Sequence, residues 1–203
     1  MFPLLWTSFQ NDGQGRASWA GMRIVPTLDA NGIISSFTAS IVQTIYLPAM
    51  TDANALGNAN LAFDYENNCI WAYSYNKNSS ADNYQKARIS RFAIPPLYDG
   101  NNQIISEVYL TDSDILDSFQ LDYIAKNSQG GFIKNGKLVL AQGFESEGYI
   151  YLRVIDLLSK KLVSVIDLLN SGFTEEPQGV FCYEDSIFYT TGSASRFYKL
   201  FFD

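Results

Sequence analysis

The sequence predicts an all-β protein built from repeated four-stranded antiparallel units, and three observations carry that expectation. Aromatic residues reach 15% and charged residues only 17% of 203 positions, against roughly 25% charged in ordinary soluble domains. Short runs rich in Ile, Val, Tyr and Phe alternate with Gly- and Asn-rich punctuation, the pattern of strands and tight turns. Two families of strand-like segments also recur in the same order along the chain.

The first family is a hairpin. "NLAFDYENNCIWAYSY" begins at Asn60, "QGGFIKNGKLVLAQG" at Gln129 and "QGVFCYEDSIFYTTG" at Gln178. In each, an amide precedes a phenylalanine by three positions: Asn60 and Phe63, Gln129 and Phe132, Gln178 and Phe181. The turns "ENN", "KNG" and "EDS" separate two apolar runs, which is a hairpin signal. Ile70, Leu138 and Ile187 open the second strands, and "LLWTSF" at Leu4 is a fourth copy of that second strand alone.

The second family is "IVQTIYL" at Ile41, "IISEVYL" at Ile104 and "LVSVIDL" at Leu162, each preceded by another strand and a turn. The chain's end, "RFYKLFF", reads as that preceding strand alone. Four-stranded units repeated along one chain are the mark of a β-propeller. Phe63 to Phe132 is 69 residues and Phe132 to Phe181 is 49, against about 40 to 50 for common propeller repeats. A sandwich of unrelated strands is the competing fold, but it gives no reason for both strand pairs to recur in one order. The units fall at roughly 1–48, 58–110, 127–169 and 176–203 of a single domain. The first lacks an inner strand and the last an outer one, so the reading expects further strands upstream of Met1, or self-association through the open edges.

"FDYENNCIW" and "EPQGVFCYEDSIFYT" resemble the inner-strand hairpins of bacterial propellers: gluconolactonase-like proteins, phage receptor-binding proteins and secreted proteins of gut bacteria. The resemblance covers most of the chain from Leu4 and implies architecture rather than substrate. The gluconolactonase-like enzymes imply a divalent cation held by Glu, Asn and Asp at the channel mouth. Only the "EP" of Glu176 and Pro177 recurs here, so that metal site is not carried over.

Composition excludes several chemistries. Histidine is absent, which removes Ser-His-Asp and Cys-His nucleophiles and His-ligated zinc. The net charge of −7 opposes a nucleic-acid partner, which requires a basic footprint. Cys69 and Cys182 have no CxxC spacing and read as buried thiols. No apolar run approaches the roughly 18 residues of a transmembrane helix. The opening "MFPLLWTSFQ" lacks the basic n-region of a signal peptide.

In a propeller the segments between units and the middle connection within each unit emerge on one face, and such loops carry function. Asn60, Gln129 and Gln178 occupy the step before each inner strand, with Glu175 and Glu176 beside them. They either line a hydrogen-bonding floor for a polar ligand or cap backbone groups where strands converge. Trp19, Tyr75, Tyr84 and Phe144 fall in loops, where rings either stack on a sugar or pack beneath their own loop. Arg16 reads as an anion-binding group or a solvated loop charge.

Carboxylates offer the one route to catalysis, with Glu145, Glu147 and Glu176 as candidates for glycoside hydrolysis. "TDSDILD" gathers Asp112, Asp114 and Asp117, oxygens suited to calcium, but lacks the Gly and terminal Glu of an EF-hand loop. Capping of a short helix by Asp112 or Ser113 is the alternative, and no cofactor is assigned. The expectation is an extracellular or periplasmic binding module for a glycan or similar polar polymer. A carboxylate-based carbohydrate hydrolase or lyase and a protein-interaction scaffold are the alternatives.

Overall fold

The computed structural model describes residues 4–9, 16–56, 59–183, 186–191 and 196–200. The turn at 184–185, most of the loop after Phe9 and the chain after Leu200 therefore lie outside it. The protein is all-β. Its strands run β1 (Leu5–Phe9), β2 (Ser18–Leu28), β3 (Ile34–Tyr46), β4 (Asn60–Asp64), β5 (Cys69–Tyr75), β6 (Lys86–Ala93), β7 (Glu107–Tyr109) and β8 (Asp117–Ile124). They continue with β9 (Ser128–Lys134), β10 (Lys137–Phe144), β11 (Tyr149–Asp156), β12 (Lys161–Asp167), β13 (Pro177–Tyr183), β14 (Ser186–Thr191) and β15 (Phe197–Leu200). Two single-turn 3-10 helices, Asp112–Asp114 and Glu145–Glu147, complete the described elements.

These strands form four sheets, ordered β1-β2-β3-β7, β4-β5-β6-β8, β9-β10-β11-β12 and β13-β14-β15. The pairings are antiparallel except that of β3 with β7, which is parallel. Three apolar cores stack the sheets face to face in chain order. Ile45, Leu47 and Trp19 of the first sheet and its flanks pack on Ile70 and Phe92 of the second. Trp71, Ile89 and Phe119 of the second meet Leu138, Leu140 and Ile155 of the third. Ile150 and Leu152 of the third meet Val180, Tyr189 and Leu200 of the fourth. An interior sheet must therefore bury both faces, which explains why β5, "CIWAYSY", is apolar almost throughout and nearly all buried. The peripheral β12 is mostly exposed.

The segment "IISEVYL" departs from the sequence reading. It was expected as the outer strand of the second unit, yet its ordered part, β7, runs beside β3 in the first sheet. The outer place in the second sheet belongs to β8, "DSFQLDYI", which pairs with β6. The reason is burial: Phe119 and Leu121 alternate into the core between second and third sheets, whereas β7 brings only Val108, partly buried, to the neighbouring core. "TDSDILD" is thus the approach to a strand rather than part of a long loop.

The repeated Gln-Gly pairs have a common backbone role. In β9, Gln129 and Gly130 together oppose Ala141, and in β13 Gln178 is the extra residue between the Pro177 and Gly179 pairings. Both are β-bulges, which re-aim a side chain at the end of a strand. Asn60 pairs with Tyr73 without a bulge, so the phenylalanines that match in sequence do not match in facing. Phe63 stacks on Trp6 toward the first sheet, while Phe132 joins the core shared with the fourth. A one-residue slip inverts the face. The bulges also draw the inner strands together: a Cβ on Gly130 would lie 2.9 Å from the Gly179 Cα.

Candidate functional site

Strand direction brings the segment entering each of the last three sheets to the same end of the stack as that sheet's middle connection. All three tie the two together, with different chemistry each time. Ahead of β4, the Asp52 carboxylate accepts from Asn76 Nδ2 at 3.0 Å and Asn78 Nδ2 at 3.1 Å, and its carbonyl from Asn83 Nδ2 at 2.8 Å. Ahead of β9, Lys126 Nζ and Asn127 Nδ2 donate to Glu147 at 2.7 and 2.6 Å, and the Tyr149 hydroxyl donates at 2.8 Å. Ahead of β13, Glu175 Oε1 pairs with Arg196 Nη1 at 2.9 Å.

The third clip borders a cleft of about 240 Å³ lined by Ser171, Gly172, Phe173, Thr174, Glu175, Arg196 and Tyr198. Its floor is rigid. Phe173 meets Tyr189 and Tyr198 edge to face at 5.7 and 5.3 Å, and the buried Tyr189 donates its hydroxyl to the Glu175 carbonyl at 2.8 Å. Burial, followed by the Glu175 charge, raises the Tyr189 pKa well above that of a free phenol, so this donor keeps its proton. The Tyr198 hydroxyl, then Glu175, raise that of Arg196. Glu175 Oε2 is buried and has no hydrogen-bond partner among the described residues. A carboxylate oxygen left in that state costs on the order of 1–3 kcal/mol.

The other residues singled out in the sequence divide between structural and open roles. Glu176 accepts from Gln129 Nε2 at 2.8 Å, and Asn60 Nδ2 donates to the Ser128 carbonyl at 3.0 Å; both contacts tie adjacent inner strands together. Gln178, at its bulge, is exposed. Trp19 donates from Nε1 to the Ala59 carbonyl at 3.3 Å and packs in a core. Tyr75 packs against another core. Tyr84 is exposed and its hydroxyl accepts from Gln85. Phe144 ends β10, half-buried, and the side chain of Glu145 lies outside the described residues. The Arg16 guanidinium sits 5.8 Å from the Tyr109 ring centre.

Glu147 is saturated by three donors. Lys126, then Tyr149 and Asn127, hold its carboxyl below the ordinary glutamate range. Burial and the same carboxylate push the Tyr149 phenol up to about 12. The aspartates of "TDSDILD" scatter to separate partners: Asp112 accepts from Asn54, Asp114 from Thr111, and Asp117 from Lys160. Thr111, rather than Asp112 or Ser113, is the N-cap of that turn. Cys69 is buried, whereas Cys182 is half-buried with Lys134 Nζ 3.5 Å from its sulfur.

The sequence places Glu175 and the between-unit segment Ser171–Thr174 on the loop-bearing face, but gives no sign of Arg196 or Tyr198 as site residues. The clips switch between acid–amide, base–acid and acid–base, so no repeated residue advertises them. Comparison with protein-family models and with curated proteins gives no match. Among the described residues, no helix is long and apolar enough to cross a membrane.

Proposed function

We propose that the four stacked sheets are blades of a β-propeller module whose loop-bearing end binds a hydroxyl-rich polar ligand, a saccharide unit of a glycan, in an extracellular or periplasmic setting. The observation that carries this reading is Glu175, whose Oε1 pairs with Arg196 and whose Oε2 has no partner among the described residues, at a cleft of about 240 Å³. A ligand hydroxyl donates to the carboxylate, and a second accepts from the guanidinium or from Ser171 and Thr174. Phe173 supplies apolar surface for the C–H face of a sugar. The volume falls below the roughly 300–1,000 Å³ of drug-sized sites, so the cleft takes one small unit while the rest of a polymer lies outside.

Glu147, Asp114 and Asp117 are held below the ordinary carboxylate range by hydrogen bonds, whereas an acid catalyst needs a raised pKa. Glycan-array screening followed by calorimetry tests the reading. Glu175→Gln is expected to weaken saccharide binding by roughly tenfold or more, the value of a charged hydrogen bond, and Arg196→Ala to do likewise. Glu147→Gln, at the neighbouring clip, leaves affinity unchanged. Affinity indifferent to Glu175 and Arg196 would refute the site, and polysaccharide turnover abolished by Glu175→Gln would replace binding with hydrolysis.

A further inference from the structure

The β2–β3 hairpin is far longer than its counterparts. β2 has 11 residues and β3 has 13, against 8 in each of β6, β8 and β11 and 7 in β12. Among the described residues, pairing with β1 stops at Met22 and pairing with β7 begins only at Thr44. Arg23–Leu28 and their partners therefore form a two-stranded arm that reaches roughly 20 Å past the sheet at about 3.4 Å per residue.

The arm is amphipathic. Residues opposed in the register share a face, so Ile24, Pro26 and Leu28 lie with Ala39, Phe37 and, nearer the sheet, Ile41. Arg23, Thr27, Ser36, Thr38 and Ser40 take the other face with Val25. The apolar face is bare: Leu28, Phe37 and Ile41 are 56%, 62% and 53% exposed. Strand alternation from Trp19, which packs toward the second sheet, turns this face away from that sheet. A neighbouring sheet with strands of ordinary length would still leave its tip uncovered.

We propose that this face is a homodimer interface, in which the arms of two copies stack apolar face to apolar face about a two-fold axis. Arg23 is the one charged side chain on the strands of the arm, so the surface offers nothing to select a strongly charged partner. Contact between like apolar faces is self-complementary, as an isologous interface requires. At roughly 150–200 Å² per large side chain, the exposed fractions of Leu28, Phe37 and Ile41 and of Ile34, opposite Leu28 and 50% exposed, make a patch of roughly 350–450 Å², within the range of the largest patch on a monomer. Two such patches together approach, without reaching, the roughly 1,000 Å² at which specific interfaces begin, so the dimer is weak and transient. The polar faces remain in water on both sides of the pair.

Sedimentation equilibrium of the wild-type chain, Phe37→Glu and Thr38→Glu tests the interface. The expected results are a micromolar dimer for wild type and Thr38→Glu, and roughly a hundredfold weaker association for Phe37→Glu, whose charge enters the interface twice. Thermal melting verifies that both variants fold. In a Cys182→Ser background, a short bis-maleimide should link Ala39→Cys between copies but not Thr38→Cys. A monomeric wild type overturns the proposal, as does a dimer that Phe37→Glu leaves intact, which would assign association to the terminal strand edges. Capture of a different protein by a monomeric wild type would likewise overturn it.

Discussion

Glu147 shows how single side chains hold the loop-bearing end together. Its folded pKa is depressed, first by Lys126 and then by Tyr149 and Asn127, so its stabilising contribution is present above the unfolded value of about 4.3. That contribution is lost as pH falls through the lower folded value. Tyr149 behaves oppositely. Its folded pKa of about 12 lies above the unfolded value near 10, so its contribution is present below that pH and lost as pH rises toward the folded value. The stability difference between wild type and Glu147→Gln should therefore hold through neutral pH and vanish in acid; thermal melts across pH measure it, and a constant difference would contradict the assignment. Gly130 makes a steric counterpart, since a side chain there meets the Gly179 backbone at 2.9 Å. Gly130→Val is expected to cost about 1–3 kcal/mol, the range of overpacking, in urea denaturation.

At the scale of elements, the hairpins were legible and the edges of the sheets were not. β4–β5, β9–β10 and β13–β14 are the antiparallel strand pairs that the sequence predicts, because alternation acts locally. The exchange of "IISEVYL" for "DSFQLDYI" was hidden, because both look like strands and only tertiary burial chooses between them. Phe119, buried and edge-on to Trp71 at 6.3 Å, decides that choice. Phe119→Ala should destabilise by about 3–5 kcal/mol, and Val108→Ala should cost far less because Val108 is only partly buried. Equal costs in denaturant titrations would mean that β8 does not hold the outer place. Within the site, Glu175 was legible from its position before an inner strand. Arg196 was not, because its role depends on a connection folding back to that entry.

In the whole molecule the apolar cores and the proposed saccharide cleft lie apart. Three cores lock successive sheets together, while the polar clips, the Glu175 carboxylate and the cleft lie at one end. The arm reaches outward from the first sheet, so dimerisation and saccharide binding should be separable: Phe37→Glu leaves saccharide affinity intact, and Glu175→Gln leaves sedimentation unchanged. The central claim is that the Glu175–Arg196 cleft recognises hydroxyl-rich ligands, and an NMR titration with the strongest array hit tests it most directly. Saturable amide shifts confined to Ser171–Glu175 and Arg196–Tyr198, abolished by Glu175→Gln, are the expected result. Shifts centred on any other part of the molecule, or undiminished in that variant, would contradict it.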